Sequence, residues 1–222
     1  MSLLDIIKSL FGGDNNLENY SSSLTRHDLI RNSRVLVVDD EKIELITELS
    51  REGFSVDHDP SGKETAKIEK GIYDLVLLDY AGVGGSYGSE QGLALLRHIR
   101  RINPAVFILA YTSKSLPPEH SDFYRLTDGT LRKDAGLQES IEKIESSLRE
   151  ALNLNRLWNA ILQLGDIPPD SRKESELRAA LIKSLKKREI QNIRKKLTEV
   201  LTSKLTDTLI DAILKKMFGL LI

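Results

Sequence analysis

The sequence predicts an α/β fold, a doubly wound five-stranded parallel sheet, followed by an all-α module at the C-terminal end. Short apolar runs alternate with helical patterns five times within about 120 residues, and four of these runs end in polar residues. From Ser171 to Phe218 the chain contains neither proline nor glycine, which strongly favours helix. The alternation implies parallel strands joined by right-handed crossovers, with helices on both faces of the sheet.

The predicted strands are short and mostly apolar throughout, which is typical of strands buried on both faces of a parallel sheet. They are Val35–Val38, a weaker candidate at Phe54–Val56, Leu75–Leu78, Ala105–Ala110 and Gly129–Arg132. The helical patterns between and after them cover residues 43–53, Ser61–Lys70, Leu93–Arg101 and Leu137–Leu152.

The N-terminal segment predicts a separate short helix and a linker. Apolar residues of the stretch 2–11 fall on one helical face that ends at Gly12-Gly13, and residues 14–33 are polar. We therefore predict three parts: residues 1–32 as helix and linker, 33–152 as the α/β domain, and 153–222 as the helical module. Ten residues bury little area, so we expect the first helix to pack on protein rather than on a membrane.

The composition fits a soluble globular protein, with 40% hydrophobic and 29% charged residues. Because cysteine is absent, disulfides and thiolate metal sites are excluded. The chain has no apolar run of the ~18 residues that a membrane span requires, and its start lacks the pattern of a secretory signal. We expect a cytoplasmic protein.

The charge is distributed unevenly along the chain. Residues 1–150 hold 18 Lys and Arg against 25 Asp and Glu, whereas residues 151–222 hold 14 against 8. Opposite signs in the two parts suggest two modules with different partners.

Polar residues follow the predicted strands where each one ends: Asp39 and Asp40, Asp79, Thr112, and Lys133. The carboxyl ends of parallel strands meet at one edge of the sheet, so folding should gather these five residues. Several carboxylates in one place need a compensating cation, and oxygen ligands suit Mg²⁺ better than Zn²⁺. A carboxylate can also attack phosphorus, with a hydroxyl and an ammonium stabilising the transferred group.

Four segments together resemble the signature of response-regulator receiver domains of two-component systems: VLVVDDE (35–41), LVLLDY (75–80), LAYTS (109–113) and LRKDAG (131–136). The resemblance covers roughly residues 33–150 and implies a flavodoxin-like sheet of order 2-1-3-4-5.

The resemblance also implies a role for each residue of the site. Asp79 would be the phosphoacceptor, and Thr112 and Lys133 would contact the phosphoryl oxygens. Asp39, Asp40, Asp79 and the backbone carbonyl of Ala81 would hold Mg²⁺. The phosphodonor would be a histidine kinase or a phosphotransfer protein.

The sequence departs from this family at three places. The aromatic residue usual three positions before the lysine is Thr130, so an aromatic switch would be absent or supplied by Tyr111 or Tyr124. The proline usual after the lysine is Asp134, for which we expect a trans peptide bond. The glycine-rich loop 81–92 is longer than usual, and is either a flexible connection or a lid that alters access to Asp79.

Two alternatives to a phosphorylated response regulator remain open. A degenerate receiver would act only as a protein-interaction module, which Thr130 and Asp134 favour. A phosphohydrolase of the haloacid-dehalogenase type also uses Asp, Thr, Lys and Mg²⁺, but it places a second aspartate where this chain has Ala81. We expect a signalling protein and not an enzyme.

The C-terminal module predicts two to four amphipathic helices, because apolar residues recur at helical spacing from Leu177 to Leu221. They either pack together or extend as a coiled coil that allows homo-oligomers. Ser171 and Glu174 predict a capping box. Basic residues cluster at Lys183, Lys186, Lys187, Arg188, Arg194, Lys195 and Lys196. We favour a solvated face over a nucleic-acid site, since no helix-turn-helix pattern is present.

Overall fold

The computed structural model describes residue 17 and the ranges 24–41, 43–113, 121–200 and 204–220. The predicted N-terminal helix at residues 2–11 lies outside these residues, as does most of the predicted linker. The described residues belong to two compact units, of which one spans Leu24–Ala151 and the other includes the chain from Leu152 onward.

The first unit is built on a five-stranded parallel sheet in the order β2-β1-β3-β4-β5. This confirms the predicted fold class and strand order. The strands are β1 (Arg34–Val38), β2 (Ser55–Asp59), β3 (Leu75–Leu78), β4 (Phe107–Thr112) and β5 (Gly129–Arg132).

Six helices accompany the sheet: α1 (Arg26–Asn32), α2 (Glu44–Arg51), α3 (Thr65–Glu69), α4 (Gly92–Ile102), α5 (Ser121–Leu126) and α6 (Leu137–Ala151). Every residue of β3 and β4 is buried, because helices cover the sheet on both faces. One core cluster joins Leu78 of β3 to Leu95 and Ile99 of α4 and to Phe123 of α5. Burying each of these side chains stabilises the fold by roughly 1.5–3 kcal/mol.

The region around β2 differs in extent from the prediction. β2 runs on through Asp57, His58 and Asp59, which an edge strand tolerates because it has a neighbour on one side only. The helix predicted from Ser61 begins at Thr65. The carboxylate of Asp59 accepts the N–H groups of Ser61, Gly62 and Glu64, and these bonds hold the chain in a turn.

The predicted linker is wrong in its last part, since residues 26–32 form α1. Thr25 and Asp28 cap this helix reciprocally, with Thr25 Oγ1 accepting the Asp28 N–H and the Asp28 carboxylate accepting the Thr25 N–H. Arg26 then forms ion pairs with Glu52 and Glu145, each at 2.6 Å. These partners lie far along the sequence, so α1 depends on contacts that no local pattern shows. Helix α5 was also not predicted.

The second unit consists of helices that pack together: α7 (Leu154–Leu164), α8 (Arg172–Lys187), α9 (Ile190–Val200) and α10 (Lys204–Gly219). Helix α8 packs on α9, α9 on α10, and α10 on α7. Of the two predicted arrangements, the packed one is therefore correct. The break between α8 and α9 falls at Arg188, whose backbone is left-handed (φ 55°) although no glycine is present.

A buried polar network joins α7 to α8. Ser171 accepts the Glu174 N–H at 3.1 Å, as the predicted capping box requires. The Glu174 carboxylate turns inward instead of completing the box, and it accepts hydrogen bonds from Trp158 Nε1 (2.9 Å) and Arg178 Nε (2.6 Å). Burial alone would raise the pKa of Glu174, but these two hydrogen bonds lower it below its usual value.

None of the described helices is both long enough and apolar enough to cross a membrane.

We expect Glu174→Gln to destabilise the second unit at neutral pH by about 1–3 kcal/mol, because a charged hydrogen-bonded group is replaced by a neutral one. Since the folded pKa is lowered, the stabilisation is complete above the unfolded pKa of ~4.3 and disappears as the pH falls through the folded pKa. Fluorescence of Trp158, the only tryptophan, reports the unfolding. The exposed Glu176→Gln is the matched control, and equal effects of both variants at neutral pH would contradict the prediction.

Candidate functional site

Strand register places the candidate residues at one edge of the sheet. Val38, the last residue of β1, pairs with Leu78, the last of β3, so Asp39 and Asp79 leave the sheet side by side. The Asp79 N–H donates to the Val38 carbonyl at 2.9 Å. At the next strands, the Lys133 N–H donates to the carbonyl of Thr112 at 3.1 Å. The ends of four strands, β1, β3, β4 and β5, thus deliver the site.

Three carboxylates meet at this edge. One oxygen from each of Asp39, Asp40 and Asp79 lies within 4.8 Å of the others. Asp39 is fully buried and Asp79 is 8% exposed, whereas Asp40 is exposed. Backbone groups orient two of them: Asp39 Oδ1 accepts the Glu41 N–H at 3.0 Å, and Asp79 Oδ1 accepts the Tyr80 N–H at 2.7 Å.

Lys133 places its ammonium between two of these carboxylates. Its Nζ lies 2.7 Å from Asp39 Oδ2 and 2.8 Å from Asp79 Oδ2, with Glu41 further away at 3.8 Å. Burial alone would lower the pKa of Lys133, but the hydrogen bonds and charges of Asp39 and Asp79 raise it. The lysine is therefore firmly cationic, yet one positive charge faces three negative ones.

Burial in this cluster shifts the pKa of Asp79. Burial raises the pKa of Asp79 above its usual value, the nearby charge of Asp39 adds to this, and Lys133 opposes it. Burial, followed by the charge of Asp39, also raises the pKa of Tyr111 to about 12. The Lys133 ammonium lies 5.7 Å from the centre of the Tyr111 ring, which gives it a cation–π contact.

The donor set fits a divalent ion of the Mg²⁺ type. Asp39 Oδ2 is buried, and the Lys133 ammonium 2.7 Å away is shared with Asp79, so one cation serves both carboxylates. Buried carboxylates are costly unless cations compensate them, and a divalent ion would add to the charge of Lys133. A ligand set made only of carboxylate oxygens suits Mg²⁺, Ca²⁺ or Mn²⁺ better than Zn²⁺, which favours nitrogen and sulfur ligands.

The loop after Asp79 is anchored on the domain. Gly84 N–H donates to the Ser61 carbonyl (3.1 Å), Gly92 N–H donates to the Tyr80 carbonyl (2.9 Å), and the hydroxyls of Tyr87 and Thr65 lie 2.9 Å apart. The Tyr87 ring also stacks on His98 of α4. These contacts argue against a flexible connection, and the alternative of a lid that alters access to Asp79 stays a prediction.

Two glycines of this loop are required by close approach, and sequence reasoning did not single them out. A Cβ on Gly92 would lie 2.3 Å from the Asp79 carbonyl oxygen, and one on Gly82 would lie 2.2 Å from Asp40 Oδ2. Gly82 also has a positive φ of 72°. The only available sequence signal was the density of glycines in residues 81–92.

The structure describes the positions that depart from the family pattern, Thr130 and Asp134, and the two tyrosines that could replace the aromatic switch. Thr130 lies on β5, and Tyr111 contacts Lys133 while Tyr124 packs near Phe123 on α5, with ring centres 6.2 Å apart. The described residues contain no cis peptide, so the trans bond expected before Asp134 is confirmed. The side chain of Asp134 forms an ion pair with Arg132.

No protein-family profile matches this sequence, and no curated protein matches it. Solved structures of similar fold do exist. A CheY-like response regulator receiver domain protein from Methanospirillum hungatei is 26% identical, with a TM-score of 0.44 over 54% of this chain and 95% of that one. A two-component response regulator from Clostridium difficile is 24% identical, with a TM-score of 0.45 over 53% and 96%. A Thermotoga maritima response regulator in complex with Mg²⁺–BeF is 29% identical, with a TM-score of 0.44 over 52% and 98%.

Many of the similar structures are receiver domains, and they cover about half of this chain. The first unit has the doubly wound sheet order 2-1-3-4-5, which CheY-like receiver domains share, and the described residues from Leu152 onward are mostly helical.

We expect Asp79→Asn to stabilise the protein at neutral pH in the absence of divalent ions, because it removes a carboxylate whose ionised form is disfavoured. The folded pKa is raised, so the gain is complete above the folded pKa and vanishes below the unfolded pKa of ~3.9. Urea unfolding at several pH values measures the difference. The control is Asp134→Asn, since Arg132 lowers the pKa of Asp134. A less stable Asp79→Asn protein at neutral pH would show the prediction to be wrong.

We expect Gly82→Ala to displace Asp40 and so to weaken Mg²⁺ binding severalfold, because the new Cβ would overlap the Asp40 carboxylate. Titration calorimetry with Mg²⁺ measures the effect. Gly85→Ala is the matched control in the same loop, since a Cβ there meets nothing within 4 Å. Unchanged Mg²⁺ affinity in Gly82→Ala would contradict the expected displacement.

Proposed function

We propose that this chain is a response regulator that accepts a phosphoryl group on Asp79 in a two-component phosphorelay and signals through its helical C-terminal unit. One observation carries the proposal. The carboxylate of Asp79 lies at the carboxyl end of β3, 2.8 Å from the Lys133 ammonium and within 4.8 Å of the carboxylate oxygens of Asp39 and Asp40. This combines a nucleophilic oxygen, a cation and candidate metal ligands in one place.

In the proposed reaction, a carboxylate oxygen of Asp79 attacks phosphorus. The new O–P bond forms as the N–P bond of a phosphohistidine breaks, and the histidine nitrogen leaves with the electron pair and takes up a proton. The Tyr80 N–H orients Asp79 Oδ1 at 2.7 Å. Lys133 would exchange its bond to Asp79 for one to a phosphoryl oxygen, and the Thr112 hydroxyl would bind another.

Asp39, Asp40, Asp79 and the backbone carbonyl of Ala81 would hold Mg²⁺. When bound, the ion supplies the positive charge that three carboxylates and a phosphoryl group require beyond Lys133. Asp39 would contribute a fully buried carboxylate whose Oδ2 lies 2.7 Å from the Lys133 ammonium.

The proposed phosphodonor is a histidine kinase or a phosphotransfer protein in the cytoplasm. A cavity of about 660 Å³ opens beside Lys133, between the start of α2 and the start of α6. Ile43, Leu45 and Leu137 contribute apolar surface to it, and Leu137 is 45% exposed. Glu41, Glu44 and Glu48 also line the cavity, and a surface of mixed polarity beside Lys133 suits contact with a protein donor.

For the output, we propose protein–protein contact or homo-oligomer formation by the helical unit. Arg194 of the basic cluster is paired with Asp211, and Lys183, Lys187, Lys195 and Lys196 are exposed. This pattern agrees with a solvated charged face, and we do not favour nucleic acid as the target.

Phosphodonor labelling separates the proposal from its rivals. With a small phosphodonor and Mg²⁺, we expect an acid-stable, base-labile phosphate on the wild-type protein and on Asp134→Asn, and none on Asp79→Asn. The nearby Asp134→Asn keeps the proposed site intact and serves as the matched control. Failure of the wild-type protein to label would favour a degenerate receiver. Continuous release of phosphate from many phosphomonoesters would favour a hydrolase.

A further inference from the structure

Gln91 has a backbone conformation that is unusual for a residue with a side chain. Its dihedrals are φ 50° and ψ −121°, and it directly precedes helix α4. Glycine would adopt these angles without strain, whereas other residues hold them only when the surroundings enforce them. Strain of this kind is a reason to ask what the glutamine side chain contributes.

The side chain of Gln91 makes no capping hydrogen bond to α4. Its Oε1 reaches back across the loop and accepts the Gly82 N–H at 3.1 Å. Gly82 is also the residue whose Cα lies directly against the Asp40 carboxylate, since a Cβ there would overlap Asp40. The amide of Gln91 therefore fixes the backbone at the point where the loop passes the acidic cluster.

The bond to Gly82 has a second consequence, through the geometry of the peptide group. The Gly82 N–H and the Ala81 carbonyl belong to one planar peptide, which is trans, so they point in opposite directions. Holding the N–H on Gln91 therefore fixes the direction of the Ala81 carbonyl. In the function proposed above, that carbonyl is a metal ligand.

We propose that Gln91 is a positioning residue for the divalent ion: through the Gly82 N–H, its side-chain oxygen holds the 81–82 peptide in the orientation that presents the Ala81 carbonyl. This inference rests on the proposed function. In this role the strained backbone of Gln91 places its side chain so that the Ala81 carbonyl is preorganised as a ligand.

Three substitutions of Gln91 distinguish the effect of its hydrogen-bond acceptor from the effect of its strained backbone. Gln91→Met keeps the length and the strained backbone but loses the acceptor oxygen. Gln91→Glu keeps an acceptor oxygen. Gln91→Gly loses the acceptor and relieves the strain. Tyr87→Phe is the control for loop anchoring, since it removes the hydroxyl contact with Thr65 and leaves the 81–82 peptide untouched.

The measurements are Mg²⁺ titration calorimetry and thermal unfolding with and without Mg²⁺. We expect Gln91→Met and Gln91→Gly to raise the dissociation constant about fivefold, the factor that corresponds to one net hydrogen bond. We expect Gln91→Glu and Tyr87→Phe to bind at least as tightly as the wild-type protein. Without Mg²⁺, Gln91→Gly should unfold at the wild-type temperature or above it. In phosphodonor labelling, the half-saturating Mg²⁺ concentration should rise in Gln91→Met while the rate at saturating Mg²⁺ stays unchanged.

Two results would overturn the inference while leaving the proposed function intact. One is wild-type Mg²⁺ affinity in Gln91→Met and Gln91→Gly. The other combines a lower unfolding temperature in all three variants with equal Mg²⁺ affinities of Gln91→Met and Gln91→Glu. That result would assign Gln91 a merely structural role. If the wild-type protein itself does not bind Mg²⁺, the proposed function fails, and this inference fails with it.

Discussion

The ion pairs of Lys133 with Asp39 and Asp79 are the interaction on which the rest of the site depends. Asp39 is completely buried, and an ionised carboxylate in that position is stable only with a cation beside it. Lys133 supplies that cation from the end of β5, across β4, and so links the edge strand to the centre of the sheet. It does not offset the burial of Asp79, whose pKa is raised chiefly by that burial and further by the charge of Asp39. Three carboxylates around one ammonium agree with the divalent ion and the phosphoryl transfer that we propose for this site.

The sheet can hold such a cluster because its central strands are mostly apolar along their length. The strands β3 and β4 are buried from end to end, so polar groups can gather only where the strands finish. Parallel register then brings those ends to the same edge. The loop that follows Asp79 completes the arrangement, and it passes close enough to Asp40 and to the Asp79 carbonyl that glycine is required at two of its positions. Packing of the core and geometry of the site are thus consequences of the same strand alignment.

The helical unit has its own core and its own polar anchor. Glu174 is held by Trp158 and Arg178, so a buried charge is compensated within the unit, just as Asp39 is compensated within the first. Its surface is basic, whereas the first unit is acidic. Separate cores and opposite charges agree with a chain that receives a signal in one unit and passes it on through another.

Much of the first unit was determined by local sequence. The apolar runs at 35–38 and 75–78, each bounded by charged residues, were predicted as strands and lie in β1 and β3, and the weaker candidate at 129–132 forms β5. The five polar residues at strand ends could be placed at one edge because parallel connectivity leaves no other arrangement.

Tertiary structure decided what depends on partners distant in sequence. Helix α1 forms where a linker was expected: Leu29 is fully buried, and Arg26 pairs with residues 26 and 119 positions away. The Glu174 carboxylate does not complete the predicted capping box and accepts a hydrogen bond from Trp158. The Gln91 side chain does not cap α4 and accepts a hydrogen bond from the Gly82 N–H. A periodic pattern reports which residues will be buried, since burial follows from hydrophobicity. It does not report with which of several polar groups a side chain will form a hydrogen bond. The distances between those groups are fixed only when the whole chain has folded.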